Sequence, residues 1–105
     1  MGSARRLLSV RRAVPAARLP AYARGWERVR AAAAAAGVHA WLFRAATPPD
    51  TSTYLEFLEW SAAAADPTAG PELAVALGEL AAAFGGAVER WDEVPPSYFP
   101  AEGQP

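Results

Sequence analysis

Glu56 is the titratable group in this chain best placed to do chemistry. It lies in Tyr54-Leu55-Glu56-Phe57-Leu58-Glu59-Trp60, a run dense in bulky apolar residues that reads as a strand. Strand alternation sets Glu56 on the face of Tyr54, Leu58 and Trp60. An apolar setting disfavours the carboxylate and would raise its pKa. A carboxyl group poised in that way could act as general base toward an acidic C–H or a phenol held in a cleft. The plainer use is an ion pair with an arginine on a neighbouring strand, such as Arg12 or Arg90. His39, the only imidazole, could serve as a base at a cleft or simply hydrogen-bond backbone or solvent. Tyr54, Trp60 and Trp26, with Trp41 and Trp91, could line a pocket for a small apolar or aromatic ligand. Aromatics at such spacings also build ordinary core.

Composition removes other chemistries. The chain has no cysteine and a single histidine, so disulfides, iron–sulfur clusters and a protein-only structural zinc site are excluded. No phosphate-binding glycine loop, nucleophile elbow or paired metal-ligand motif occurs. No cofactor and no metal is therefore expected. A net charge of −1 argues against non-specific nucleic-acid binding, which needs a basic excess. Arg5, Arg6, Arg11 and Arg12 form the one basic cluster, and strand alternation splits them between two faces. The longest uncharged run, Ala31 to Phe43, is too short to span a bilayer. Arg11 and Arg12 interrupt any leader sequence. A soluble cytoplasmic protein without membrane contact is the expectation.

The elements that must position these residues follow from periodicity. Leu7 to Val14 reads as a strand, with Leu8, Val10 and Val14 alternating against Leu7, Ser9 and Ala13. From Pro20, apolar residues recur at Tyr22, Trp26, Val29 and Ala33, one stripe of a helix that Gly37 ends. Val38–Arg44 and Tyr54–Trp60 read as two strands joined by the turn chemistry of Thr47-Pro48-Pro49-Asp50-Thr51-Ser52. Ser61 to Gly70 reads as a loop. Pro71 opens a second helix with its stripe at Leu73, Leu77, Leu80 and Phe84, and Gly85-Gly86 stops it. Ala87 to Val94 is the last strand. Residues 5–94 thus form one domain, and 95–105 a Pro- and Gly-rich, poorly ordered tail.

The order β-α-β-β-α-β defines an α+β, ferredoxin-like fold. Its four-stranded antiparallel sheet carries both helices on one face, with the first and third strands central. The uncovered face should then alternate to polar. It does not: Trp41 and Phe43 of the second strand and Leu55 and Phe57 of the third point away from the helices. Such a patch marks an interaction surface, and the simplest partner is a second copy packed sheet to sheet about a two-fold axis. A monomer with scattered exposed apolar residues is the plain alternative.

With these elements placed, residues 5–94 resemble the dimeric α/β-barrel superfamily, which includes antibiotic-biosynthesis monooxygenases and haem-degrading proteins. The resemblance rests on the element order, the Tyr22/Trp26 stripe and Tyr54-Leu55-Glu56-Phe57-Leu58-Glu59-Trp60-Ser61. It implies two ferredoxin-like protomers joined through their sheets into a barrel. Many members carry a Trp at the end of the third strand, facing a cleft between sheet and helices, and Trp60 is the matching position. Cofactor-independent oxygenases of that kind can place an Asn four residues earlier, where this chain has Glu56. Haem-degrading relatives use an axial His on the second helix, and Pro71–Phe84 has none. The resemblance implies a small-molecule-binding homodimer, monooxygenase-like or cofactor-free in its chemistry, or a non-catalytic binding or structural homodimer. RNA-recognition modules share the element order, but Glu56 and Glu59 among the aromatics would repel phosphate.

Overall fold

A computed structural model describes residues 4–46 and 52–95. Its elements are β1 (Arg5–Ala13), α1 (Leu19–Ala35), β2 (His39–Arg44), β3 (Thr53–Ser61), α2 (Pro71–Phe84) and β4 (Ala87–Asp92). The sheet runs β2-β3-β1-β4 and every pairing is antiparallel, so β1 and β3 are central as the element order requires. This is the ferredoxin-like α+β fold.

Each helix forms for a local reason. Pro20 sits in the first turn of α1, where its missing N–H costs no hydrogen bond. The stripe Tyr22, Trp26, Val29 and Ala33 is buried as spaced, and Gly25 joins it. Gly25 lets the helices close up: a Cβ there would stand 2.5 Å from Leu80 Cδ2 on α2. Gly37, at φ 74°, takes the left-handed conformation that ends α1. On α2 the buried residues are Leu73, Ala76 and Leu80, while Leu77 and Phe84 are only partly buried. The stripe turns one position from its expected line because the small Ala76 faces α1.

Both helices pack on one face of the sheet. Leu8 and Val10 of β1 and Leu58 and Trp60 of β3 join the helix stripes in one core, each large apolar side chain contributing about 1.5–3 kcal/mol on burial.

Boundaries shift modestly. β1 starts at Arg5 and stops at Ala13, β3 extends one residue each way, and β4 ends at Asp92, not Val94. The loop between β3 and α2 carries a 3-10 turn, Pro67–Ala69, capped by the Asp66 side chain, which accepts from the Thr68 N–H. The turn residues 47–51 and all of the expected tail beyond Pro95 lie outside the described residues. No helix among the described residues is long and apolar enough to cross a membrane.

Candidate functional site

Glu56 stands at the middle of β3, opposite Val10 of β1 and Leu42 of β2. Its side chain is buried, as is that of Arg12, one pleat along on the same face of β1. Arg12 Nε donates to Glu56 Oε2 at 2.6 Å and Nη2 to Oε1 at 3.1 Å, a two-pronged ion pair. The Tyr22 hydroxyl on α1 donates to Oε2 at 2.5 Å. Arg12 Nη1 donates to the Gly85 carbonyl at the end of α2. One buried network thus ties β1, β3, α1 and the α2–β4 junction together. Gly86 is shaped to the same network: at φ 132° it admits no Cβ without meeting Arg12 Nη1 and Val10 Cγ1, each at 2.9 Å.

Between the two ion-pair partners open on sequence, Arg12 takes Glu56. Arg90 reaches instead to Asp66 at 3.2 Å. The expected apolar surroundings of Glu56 are real for its stem, but its oxygens meet a guanidinium and a phenol. The Tyr22 hydroxyl is held above the usual phenol range, first by burial and then by its bond to Glu56. Taken together, the group is closed against substrate: Glu56 is 1% exposed, with donors on both oxygens.

Two cavities flank it at opposite ends of β3. At the far end a cavity of about 330 Å³ is lined by Arg6, Leu7, Trp60, Asp66, Arg90 and Trp91, with Asp92 at the edge. Trp60 is 6% exposed, and its indole N–H is buried without a hydrogen-bond partner. Two ion pairs rim this cavity: Arg6 with Asp92 at 3.2 Å and Arg90 with Asp66. Thr68 donates to Asp66 and holds its carboxyl below the usual carboxylate range. Near the start of β3 a smaller cavity, about 190 Å³, is lined by Tyr54, Leu19, Arg44 and Val14 among others. Tyr54 is half-buried and packs on Tyr22, ring centroids 5.2 Å apart. Glu56 lines neither cavity.

The five sequence candidates therefore separate. Tyr54, Glu56 and Trp60 share the helix-side face of β3 but open on no common cleft. Trp26 belongs to the core. His39 is exposed on the opposite sheet face, its ring 6.2 Å from Trp41. Two participants, Tyr22 and Asp66, escaped sequence reading, and Arg90 entered it only as a possible partner of Glu56. Tyr22 passes for a plain stripe residue, although a Tyr in place of a Phe at a core position signals a hydroxyl with a partner. Asp66 and Arg90, which close one wall of the larger cavity, come together only through the loop after β3.

The face away from the helices carries Trp41, Phe43, Leu55, Phe57, Leu7 and Trp91. Trp41, Phe43 and Trp91 are 42%, 54% and 48% exposed, and Phe43 packs edge-on against Phe57 with centroids 5.8 Å apart. Trp91 lies flat enough over β1 to donate its indole N–H to Ser9 Oγ at 2.8 Å. Glu59 is buried on this face and pairs with Arg5 at 2.7 Å.

No protein-family model and no curated protein matches the sequence. Solved structures do match in shape. A protein from Shewanella loihica PV-4, described as a candidate monooxygenase, aligns with 17% identity and a TM-score of 0.53, covering 90% of this chain and 98% of its own. The de novo designed protein Ferredog-Diesel aligns with 11% identity and a TM-score of 0.52, covering 87% and 86%. At these identities the likeness is one of ferredoxin-like fold.

Proposed function

We propose that this chain is a small-molecule-binding homodimer that takes an oxygen-bearing aromatic ligand in the cavity beside Trp60. Two observations carry the reading: Trp60 lines that cavity, and its indole N–H is buried without a partner. An unmet buried donor costs about 1–3 kcal/mol, and a ligand oxygen against the ring supplies the acceptor. The volume falls at the lower end of the range for ligand pockets. Trp60 lines the cavity from the helix side of β3, and the rim ion pairs bound the opening.

The assembly follows from the open face. Trp41 and Phe43 on one edge strand and Trp91 on the other are large and exposed on one sheet face, with Leu55, Phe57 and Leu7 on the strands between, and a second copy of the same sheet covers them. Glu59 and Glu89 among these aromatics oppose RNA as the occupant.

Ligand binding is tested with two planar probes that differ by one carbonyl, 9-fluorenone and fluorene, by calorimetric titration. The expected result is about a tenfold preference for fluorenone, the worth of one hydrogen bond, abolished in Trp60→Phe. Equal affinity for both probes in the wild-type chain contradicts the reading.

A monooxygenase-like reaction is the second reading, favoured by the shape likeness to the Shewanella protein over most of both chains. It would require Glu56 to leave Arg12 and Tyr22 for a substrate, and the closed network weighs against that.

A further inference from the structure

Arg11 and Glu89 are exposed on the open sheet face, and among the described residues neither has an ion-pair partner. The other charged groups of that face are satisfied, Arg5 by Glu59 and Glu93. Arg11 stands opposite Ala87 and Glu89 opposite Ser9, so the two lie in adjacent cross-strand rows. One row reads Glu89, Ser9, Phe57, Trp41 across the four strands, and the next reads Ala87, Arg11, Leu55, Phe43.

We infer that the second copy seats about a two-fold axis running across the strands between these two rows, with Arg11 and Glu89 fixing the register. Such an axis exchanges the rows. It lays each strand over its own copy, so Arg11 faces the partner's Ser9 and lies one strand to the side of the partner's Glu89, with Glu89 likewise beside the partner's Arg11, as an isologous contact requires. It also lays Trp41 and Phe57 over the partner's Phe43 and Leu55. Sheets stack about 10 Å apart and neighbouring strands lie about 4.8 Å apart, a diagonal of about 11 Å that an arginine and a glutamate reaching from opposite sides span. Moving the axis onto the first row would oppose Glu89 to the partner's Glu89, and moving it onto the second would oppose the two copies of Arg11. Like charges therefore penalise both neighbouring registers, which is how specificity is built against alternatives.

This inference rests on the sheet-face dimer proposed above and adds its register. Sedimentation equilibrium on the full chain tests it with Arg11→Glu, Glu89→Arg and their equimolar mixture. Each single variant is expected to self-associate at least about tenfold more weakly than wild type. The mixture should recover wild-type affinity as a heterodimer, because one copy then carries two glutamates and the other two arginines. An ion pair within one chain cannot produce that rescue. If wild type dimerises while either variant does so equally well, or the mixture fails to recover, the register is wrong and the dimer stands. A monomeric wild-type chain overturns both.

Discussion

Glu56 and Glu59 are three residues apart on β3 and both are buried, yet they serve opposite faces of the sheet under different physics. Glu56 faces the helices and pairs with Arg12, the two side chains 1% and 2% exposed. Glu59 faces away and pairs with Arg5, whose side chain is 59% exposed. One pair is desolvated and locked by Tyr22 and Gly85, and the other keeps its cation in water. On the helix-side face the buried charges are matched, and the Trp60 indole N–H is the buried side-chain group left without a partner among the described residues. The open face has its aromatics half in solvent, and its charges reach along the surface.

The difference predicts an ordered set of mutational costs. The largest belongs to the buried pair. Arg12→Met leaves Glu56 charged and unpaired, so urea unfolding should show a loss of about 3–5 kcal/mol. Arg12→Met combined with Glu56→Leu should recover most of it, since an apolar pair of similar volume avoids desolvation. Glu56→Gln should also destabilise, through the stranded Arg12. A Gln variant of wild-type stability that has lost ligand turnover would instead favour the catalytic reading.

Tyr22→Phe comes next, at about 1.5–3 kcal/mol for one hydrogen bond to a charged group. It carries a pH signature. Because the folded Tyr22 pKa lies above its unfolded value near 10, its contribution is complete below about pH 10. The contribution is lost as pH rises from there through the folded value. Wild type should therefore lose stability above about pH 10 by up to about 1.36 kcal/mol per pH unit, with a shallower decline in Tyr22→Phe. Equal alkaline slopes would mean that burial and Glu56 do not hold the folded Tyr22 hydroxyl above its ordinary range.

Glu59→Gln is expected to cost least, about 0–1 kcal/mol, because its partner is exposed and screened. A cost matching that of Arg12→Met would erase the distinction between the faces.

Much of this arrangement is legible in the sequence, for identifiable reasons. The steps from Tyr22 to Ala33 repeat at the helical period, so the buried face of α1 follows from spacing alone. Strand alternation likewise assigns Glu56 and Trp60 to the helix side and Trp41 and Phe43 to the open side. Partner choice is not local. Whether Arg12 or Arg90 closes on Glu56 depends on the β1–β3 register and on Asp66 having taken Arg90, and both arise from tertiary placement. The Trp60 cavity is hidden for the same reason: its walls come from β1, β3, β4 and the loop at Asp66. Ala76, in place of Leu77, fills the α2 seam because closeness to α1 favours a small side chain over a large one.

The proposed covering of the open face by a second copy is tested most directly by sedimentation velocity of the wild-type chain across a concentration series. The predicted result is a particle of about twice the 11.1 kDa chain mass, reverting to single-chain mass in Trp41→Ser/Phe43→Ser with the helical signal retained. A wild-type particle of single-chain mass at every concentration would contradict it.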